Sequence, residues 1–200
     1  MTAPVLSVLV GIYLVGLVLL RRARYTLIGY LWGAFGLAAL GILIAQLGQW
    51  NVALGRLEAA SLVSTFGWLG LTVTGLQRSS IMITDPTGWS ILNIGIECST
   101  LVEGFIFAGL LLFYPRFTAP QRAARLGMGL VLTYFINLVR LMIIIGLIMW
   151  LGKPVAPLAH AIIGRLVFFA GMIFVYWRLL TLPTLQIVRR EMEVTGRAVL

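Results

Sequence analysis

Five apolar runs constrain this chain more than any other feature: about Pro4 to Leu20, Leu27 to Ala45, Leu101 to Phe113, Leu126 to Trp150 and Leu158 to Leu180. A helix that crosses a bilayer needs about 20 mostly apolar residues. The third run is short unless the residues around Cys98 also lie at membrane depth. Composition agrees with this reading. Apolar residues make up 60% of the chain and charged residues 10%, against about 25% charged in ordinary soluble domains. A soluble fold of 200 residues could not hide that much apolar surface. Soluble globular, disordered and nucleic-acid-binding classes are therefore poor fits.

The net charge of +9 is arranged as a membrane topology signal. Arg21, Arg22 and Arg24 follow the first run, Arg116, Arg122 and Arg125 separate the third and fourth, and Arg178, Arg189, Arg190 and Arg197 follow the fifth. Cytoplasmic loops collect Lys and Arg, so all three clusters predict an outside N-terminus, an inside C-terminus and five spans. The opposite loops hold only Arg56, Arg78 and Lys153. No basic residue precedes the first run and no small-residue cleavage site follows it, which favours a retained span over a signal peptide.

Leu62 to Leu76 is apolar enough for a short span, but Asp85-Pro86 and Thr87-Gly88 downstream read as a turn. The preferred reading is an interfacial helix over Asn51 to Trp68. An extended outer segment follows, with Ile81 to Thr84 and Trp89 to Ile96 as a hairpin. Ile81 to Thr84 would offer a strand edge to an extended peptide. The expected fold is thus an all-α polytopic membrane protein with about five transmembrane helices, an interfacial helix and a short β-like extracytoplasmic segment. It forms a single integral membrane domain over residues 1–200: two N-terminal spans in 1–45, an extracytoplasmic segment in 46–97, a three-span core in 98–180 and a basic cytoplasmic tail in 181–200.

Polar residues inside apolar runs are costly and therefore informative. Arg140 lies well inside the fourth run, where an Arg costs about 2.5–3.5 kcal/mol on insertion scales. It should face the protein interior with a partner, either in catalysis or as a structural Arg satisfied by carbonyls or a Glu. Asn137, three residues earlier, shares its helical face. Arg165 in the fifth run is read as a second buried cation that pairs with Glu103. Thr100 and Glu103 have capping-box spacing, which puts Cys98 just before a helix N-terminus, where the macrodipole favours a thiolate. A lone Cys is equally at home as a small buried apolar residue. Glu103 can be only a cap, and Glu97 only an exposed loop acid. His160, the sole His, falls in the first turn of the fifth run, where the helix terminus keeps an imidazole neutral and suited to a general base. Taken alone, it reads as an interfacial His. With one Cys and one His, an internal disulfide and a multi-Cys/His metal site are not expected, and no cofactor is expected. Together, Cys98, His160 and Arg140 supply a nucleophile, a proton acceptor and a charge for a developing oxyanion.

Ile96-Glu97-Cys98-Ser99-Thr100, Asn137-Leu138-Val139-Arg140 and His160, in this order and spacing, resemble the exosortase/archaeosortase family of membrane-embedded cysteine transpeptidases. The likeness runs from about Gly70 to Trp177 and includes Phe105-Ile106-Phe107-Ala108-Gly109 and Tyr114-Pro115. Glu97 looks closer to the archaeosortase branch. The chain departs from the usual Cys-Ser-Gly or Cys-Thr-Gly by carrying Thr100. The resemblance implies Cys98 as nucleophile, Arg140 as transition-state stabiliser and His160 as acid/base, with Asn137, Glu97, Glu103, Ser99 and Arg165 in supporting or substrate-binding positions. It implies secreted protein substrates ending in a short motif, a transmembrane helix and a basic cluster, cleaved at the outer face of the cell membrane through an acyl-enzyme. The acceptor would be a lipid, water or another nucleophile. The alternative from the residues is a small transporter or scaffold whose buried Arg140 and Arg165 bind an anion. A thiol oxidoreductase would need a second Cys from a partner.

Overall fold

The computed structural model describes residues 3–96 and 98–197. Four helical stretches are long and apolar enough to cross a membrane: Pro4–Arg22, Thr26–Leu47, Ala119–Leu151 and the run Lys153–Glu193. Leu101–Phe113 is apolar but shorter. The protein is therefore a mainly helical, membrane-embedded multi-pass chain, as its apolar runs require.

In chain order the elements are α1 (Ala3–Arg22), α2 (Thr26–Leu47), α3 (Trp50–Trp68), β1 (Val73–Leu76), β2 (Ser80–Asp85), β3 (Gly88–Asn93), α4 (Leu101–Phe113) and α5 (Ala119–Leu151). A 3-10 turn (Lys153–Val155), α6 (Ala156–Leu158), a π-helical turn (Ala159–Ile163), α7 (Gly164–Tyr176), a second π turn (Trp177–Thr181) and α8 (Leu182–Arg197) complete the chain. The residues cluster into two compact units.

The first unit comprises Met1–Gly41, Gly104–Leu130 and Ile173–Leu200. Polar side chains tie its helices by bonding to backbone carbonyls: Tyr13 donates to Gly33 O (3.1 Å), Trp32 to Tyr13 O (3.1 Å) and Tyr30 to Leu110 O (3.1 Å). In an apolar medium such bonds and small residues do the work that hydrophobicity does in water. Gly109 is required by close approach, since a Cβ there would stand 2.2 Å from Ala34 O. The α5 helix begins earlier than its apolar run because of local chemistry. Thr118 N–H donates to Gln121 Oε1 at 3.2 Å, half of a capping box, and Pro120 fits the first turn. The C-terminal tail, expected only to be polar and basic, is the helix α8. Its Glu191 pairs with Arg116, and Arg189 pairs with Glu193 one turn on at 3.1 Å.

The second unit comprises Ile42–Glu103 and Val131–Met172. Here α3 buries Gly55, Glu58, Ala59, Leu62 and Phe66, a stripe at helical spacing. An antiparallel sheet of order β1-β2-β3 follows. Ile81 and Ile83 of β2 are fully buried, as period-two alternation demands. They join a core with Leu62, Phe66, Leu141, Ile144, Ile145 and Cys98. The β2–β3 hairpin pairs Asp85 with Gly88 across Pro86-Thr87. Asp85 accepts from the Ser90 hydroxyl and from the Thr87 hydroxyl and amide, bonds that hold its carboxyl below the usual carboxylate range. The tip packs on the residues after α5: Lys153 N–H donates to Thr87 Oγ1 (3.4 Å), and the Lys153 ammonium lies 5.2 Å from the Trp89 ring centre.

Several expectations change here. Leu62 to Leu76 is the end of α3, a turn and β1, not a span. The strand β1 was not anticipated, and β3 stops at Asn93 rather than Ile96. Ile81 to Thr84 offers no free edge, because β2 is the central strand and pairs on both sides.

Candidate active site

The site is built wholly within the second unit. After β3 the chain makes a tight turn. Cys98 N–H and Ser99 N–H both donate to Gly95 O at 3.0 Å, and Ser99 Oγ donates to Ile96 O at 3.1 Å. This turn delivers Cys98, 4% exposed, to the start of α4. Glu97 lies outside the described residues.

His160 reaches the same point from far along the chain. Cys98 Sγ lies 3.5 Å from His160 Nε2 and 3.8 Å from Nδ1, contacts within hydrogen-bond range for sulfur. His160 is not in the first turn of its helix. The helical run starts at Lys153, and His160 sits in the π turn Ala159–Ile163. The dipole argument for a neutral imidazole therefore lapses. A π turn instead re-aims one side chain within an otherwise α-helical run, a device common at functional sites. Gly164 lets this turn pack tightly, since a Cβ there would stand 2.7 Å from Ile144 Cδ1.

Asn137 and Arg140 project from one face of α5 and are both buried, Asn137 completely. Asn137 Nδ2 donates to Cys98 O (2.7 Å) and to Glu58 Oε1 (3.0 Å). The Arg140 guanidinium carbon lies 5.4 Å from the Phe168 ring centre, a cation–π distance. Its charge is within electrostatic range of the Glu58 and Glu103 carboxyls. Arg140 Nε has no hydrogen-bond partner.

Glu58 is the residue that sequence reasoning missed. It is fully buried on α3, and its Oε1 accepts from Thr100 N–H (3.3 Å), the Thr100 hydroxyl (3.3 Å) and Asn137. Burial pushes its carboxyl up to about 7, against the opposing pull of those bonds and of Arg140. A signal was present: Glu58 falls between Gly55, Ala59 and Leu62 on the apolar stripe of an otherwise unremarkable helix. Thr100 does precede α4, as the capping-box spacing requires, but its hydroxyl serves Glu58.

The remaining expected residues divide. Ser99 is buried beside Cys98, and Glu103 is half-buried in the first turn of α4. Arg165 is exposed, and no salt bridge joins it to Glu103 among the described residues. It stands one position past the buried Gly164, off the inward stripe continued by Phe168 and Met172, so the expectation of a second buried cation is corrected.

The assembled geometry is a thiol against an imidazole, with the thiol's own carbonyl held by an amide and a buried guanidinium on that amide's helix face. Such an arrangement can generate a thiolate, move a proton and offer positive charge to a developing oxyanion. No family model matches the chain, and no curated protein or solved structure matches it.

Proposed function

We propose that this protein is a membrane-embedded thiol peptidase or transpeptidase of the exosortase/archaeosortase kind, acting on secreted proteins that end in a short motif, a transmembrane helix and a basic cluster. The observation that carries this reading is the approach of Cys98 Sγ to within 3.5 Å of His160 Nε2 from a position 62 residues away in sequence. A structural role for the Cys as a small buried residue does not require a ring nitrogen at its sulfur.

In this reading the chain has five spans, with α4 as the short third. The N-terminus is outside, α3 and the sheet lie on the outer side, and α8 rests its basic face on the cytoplasmic surface. The membrane is the cell membrane. The substrate helix packs beside the last three spans with its basic tail inside, which brings the motif to the outer face. His160 accepts the thiol proton as Cys98 Sγ attacks the scissile carbonyl. Arg140 stabilises the tetrahedral oxyanion. His160 returns the proton to the leaving amine as the C–N bond breaks, and a thioester remains on Cys98. An acceptor nucleophile, lipid or water, then gives its proton to His160 and takes the acyl group.

The test is co-expression of wild type or Cys98→Ala with a tagged secreted protein bearing such a C-terminus, followed by mass. Helix removal that requires Cys98 supports the reading, and the product mass separates hydrolysis from transfer. No processing by a folded wild type overturns it.

A further inference from the structure

We propose that Glu58 is a positioning residue for the Cys98 nucleophile, clamping the backbone on either side of the buried Ser99 through Asn137 and Thr100. The inference rests on the reading of Cys98 as nucleophile. One carboxylate oxygen, Glu58 Oε1, accepts the Thr100 amide and hydroxyl on the C-terminal side of the turn. The same oxygen accepts Asn137 Nδ2, which also donates to Cys98 O. Both ends of Cys98-Ser99-Thr100 thus refer to a single atom on α3. The usual small residue of the motif is replaced here by Thr100, whose hydroxyl makes one of these bonds.

The clamp has no slack for a neutral spectator. Glu58 and Asn137 are completely buried and Thr100 is 7% exposed, so water cannot substitute for a lost partner. The charged and titratable groups around Glu58 are Arg140 from α5, Cys98 from the turn, and two groups adjoining these: His160, which touches Cys98, and Glu103, in range of Arg140. Because the Glu58 carboxyl is pushed up to about 7, its charge changes in the neutral range. An ionised carboxylate so close to the turn opposes thiolate formation at Cys98.

Cys98 is the only cysteine of the chain, so alkylation of the purified full-length protein reports on it alone. Iodoacetamide rates are measured from pH 5.5 to 9 on wild type, Glu58→Gln and Glu58→Ala, at matched folded fraction, alongside the co-expression assay. Gln keeps the accepting oxygen and removes the charge, and should move the midpoint of the alkylation profile to lower pH by about half a unit or more. Ala removes the acceptor, and should speed alkylation at pH 7.5 about fivefold or more and cut processing about tenfold, with Gln retaining more processing than Ala. A purely structural carboxyl would change the yield of folded protein but not these profiles. Superimposed profiles for wild type and Glu58→Gln overturn the proposal even if Glu58→Ala does not fold. If wild type processes substrate while the profiles superimpose, the clamp fails and the enzyme reading stands. If the profiles shift but nothing is processed, the enzyme reading fails alone.

Discussion

Asn137 donates its side-chain amide to the carbonyl oxygen of Cys98 at 2.7 Å, across 39 residues of sequence. That bond and the one to Glu58 leave the amide nitrogen fully used inside the second unit. Replacing Asn137 by Ala leaves a buried carbonyl and part of a carboxyl unmet, at about 1–3 kcal/mol. Asn137→Ala should lower the thermal midpoint in detergent and reduce processing per folded molecule. An unchanged midpoint would contradict the geometry.

Arg140 should be harder to replace than its charge suggests. If it supplies about 3 kcal/mol to the oxyanion, Arg140→Ala slows turnover roughly a hundredfold. Arg140→Lys should recover little, since an ammonium cannot match a planar guanidinium that also lies on Phe168. Full processing by folded Arg140→Ala would remove Arg140 from the reaction.

Glu58 makes stability depend on pH in a definite direction. Its folded value of about 7 is above the ordinary 4.5, so the protonated form is the one the fold prefers. The contribution is complete below about 4.5 and is lost as pH rises through about 7, an effect of at most about 3 kcal/mol. Melting curves should show Glu58→Gln gaining on wild type between pH 5 and pH 8. A constant difference between the two proteins would show that the carboxyl does not titrate in this range.

Gly109 tests the packing of α2 on α4. A methyl group there meets Ala34 O at 2.2 Å, and backbone cannot turn away as a side chain can. Gly109→Ala should cost about 1–3 kcal/mol, read as a lower midpoint and a lower yield of monodisperse protein.

Arg165 separates the enzyme reading from a two-arginine anion site. It is exposed where Arg140 is buried, so Arg165→Ala should leave Cys98-dependent processing within about twofold and stability within about 0.5 kcal/mol. A loss as large as that of Arg140→Ala would restore a shared anion site.

The helices were legible because apolar length and Arg clusters are strong signals in a chain that must satisfy its backbone inside lipid. Asp85-Pro86-Thr87-Gly88 announced its hairpin through turn chemistry. The strand β1 did not, because Val73 alone of its four residues is buried and no alternation forms. Cys98 and His160 were legible as rare chemistry at the ends of two apolar runs. The π turn that presents His160 leaves no trace in Ala159-His160-Ala161-Ile162-Ile163. Glu58 was hidden for a different reason: a lone acid on a helix read as interfacial is expected to face water. Its burial follows from tertiary contacts with Thr100 and Asn137 that no local pattern encodes.

The central claim, a thiol nucleophile paired with His160, is tested most directly by trapping the acyl-enzyme. Purified protein is mixed with a synthetic segment spanning a motif and its transmembrane helix, quenched in acid, and weighed intact. The account predicts an adduct of the N-terminal acyl fragment on Cys98, released by hydroxylamine, absent from Cys98→Ala and strongly reduced in His160→Ala. Release of the helix by Cys98→Ala at the wild-type rate would contradict it.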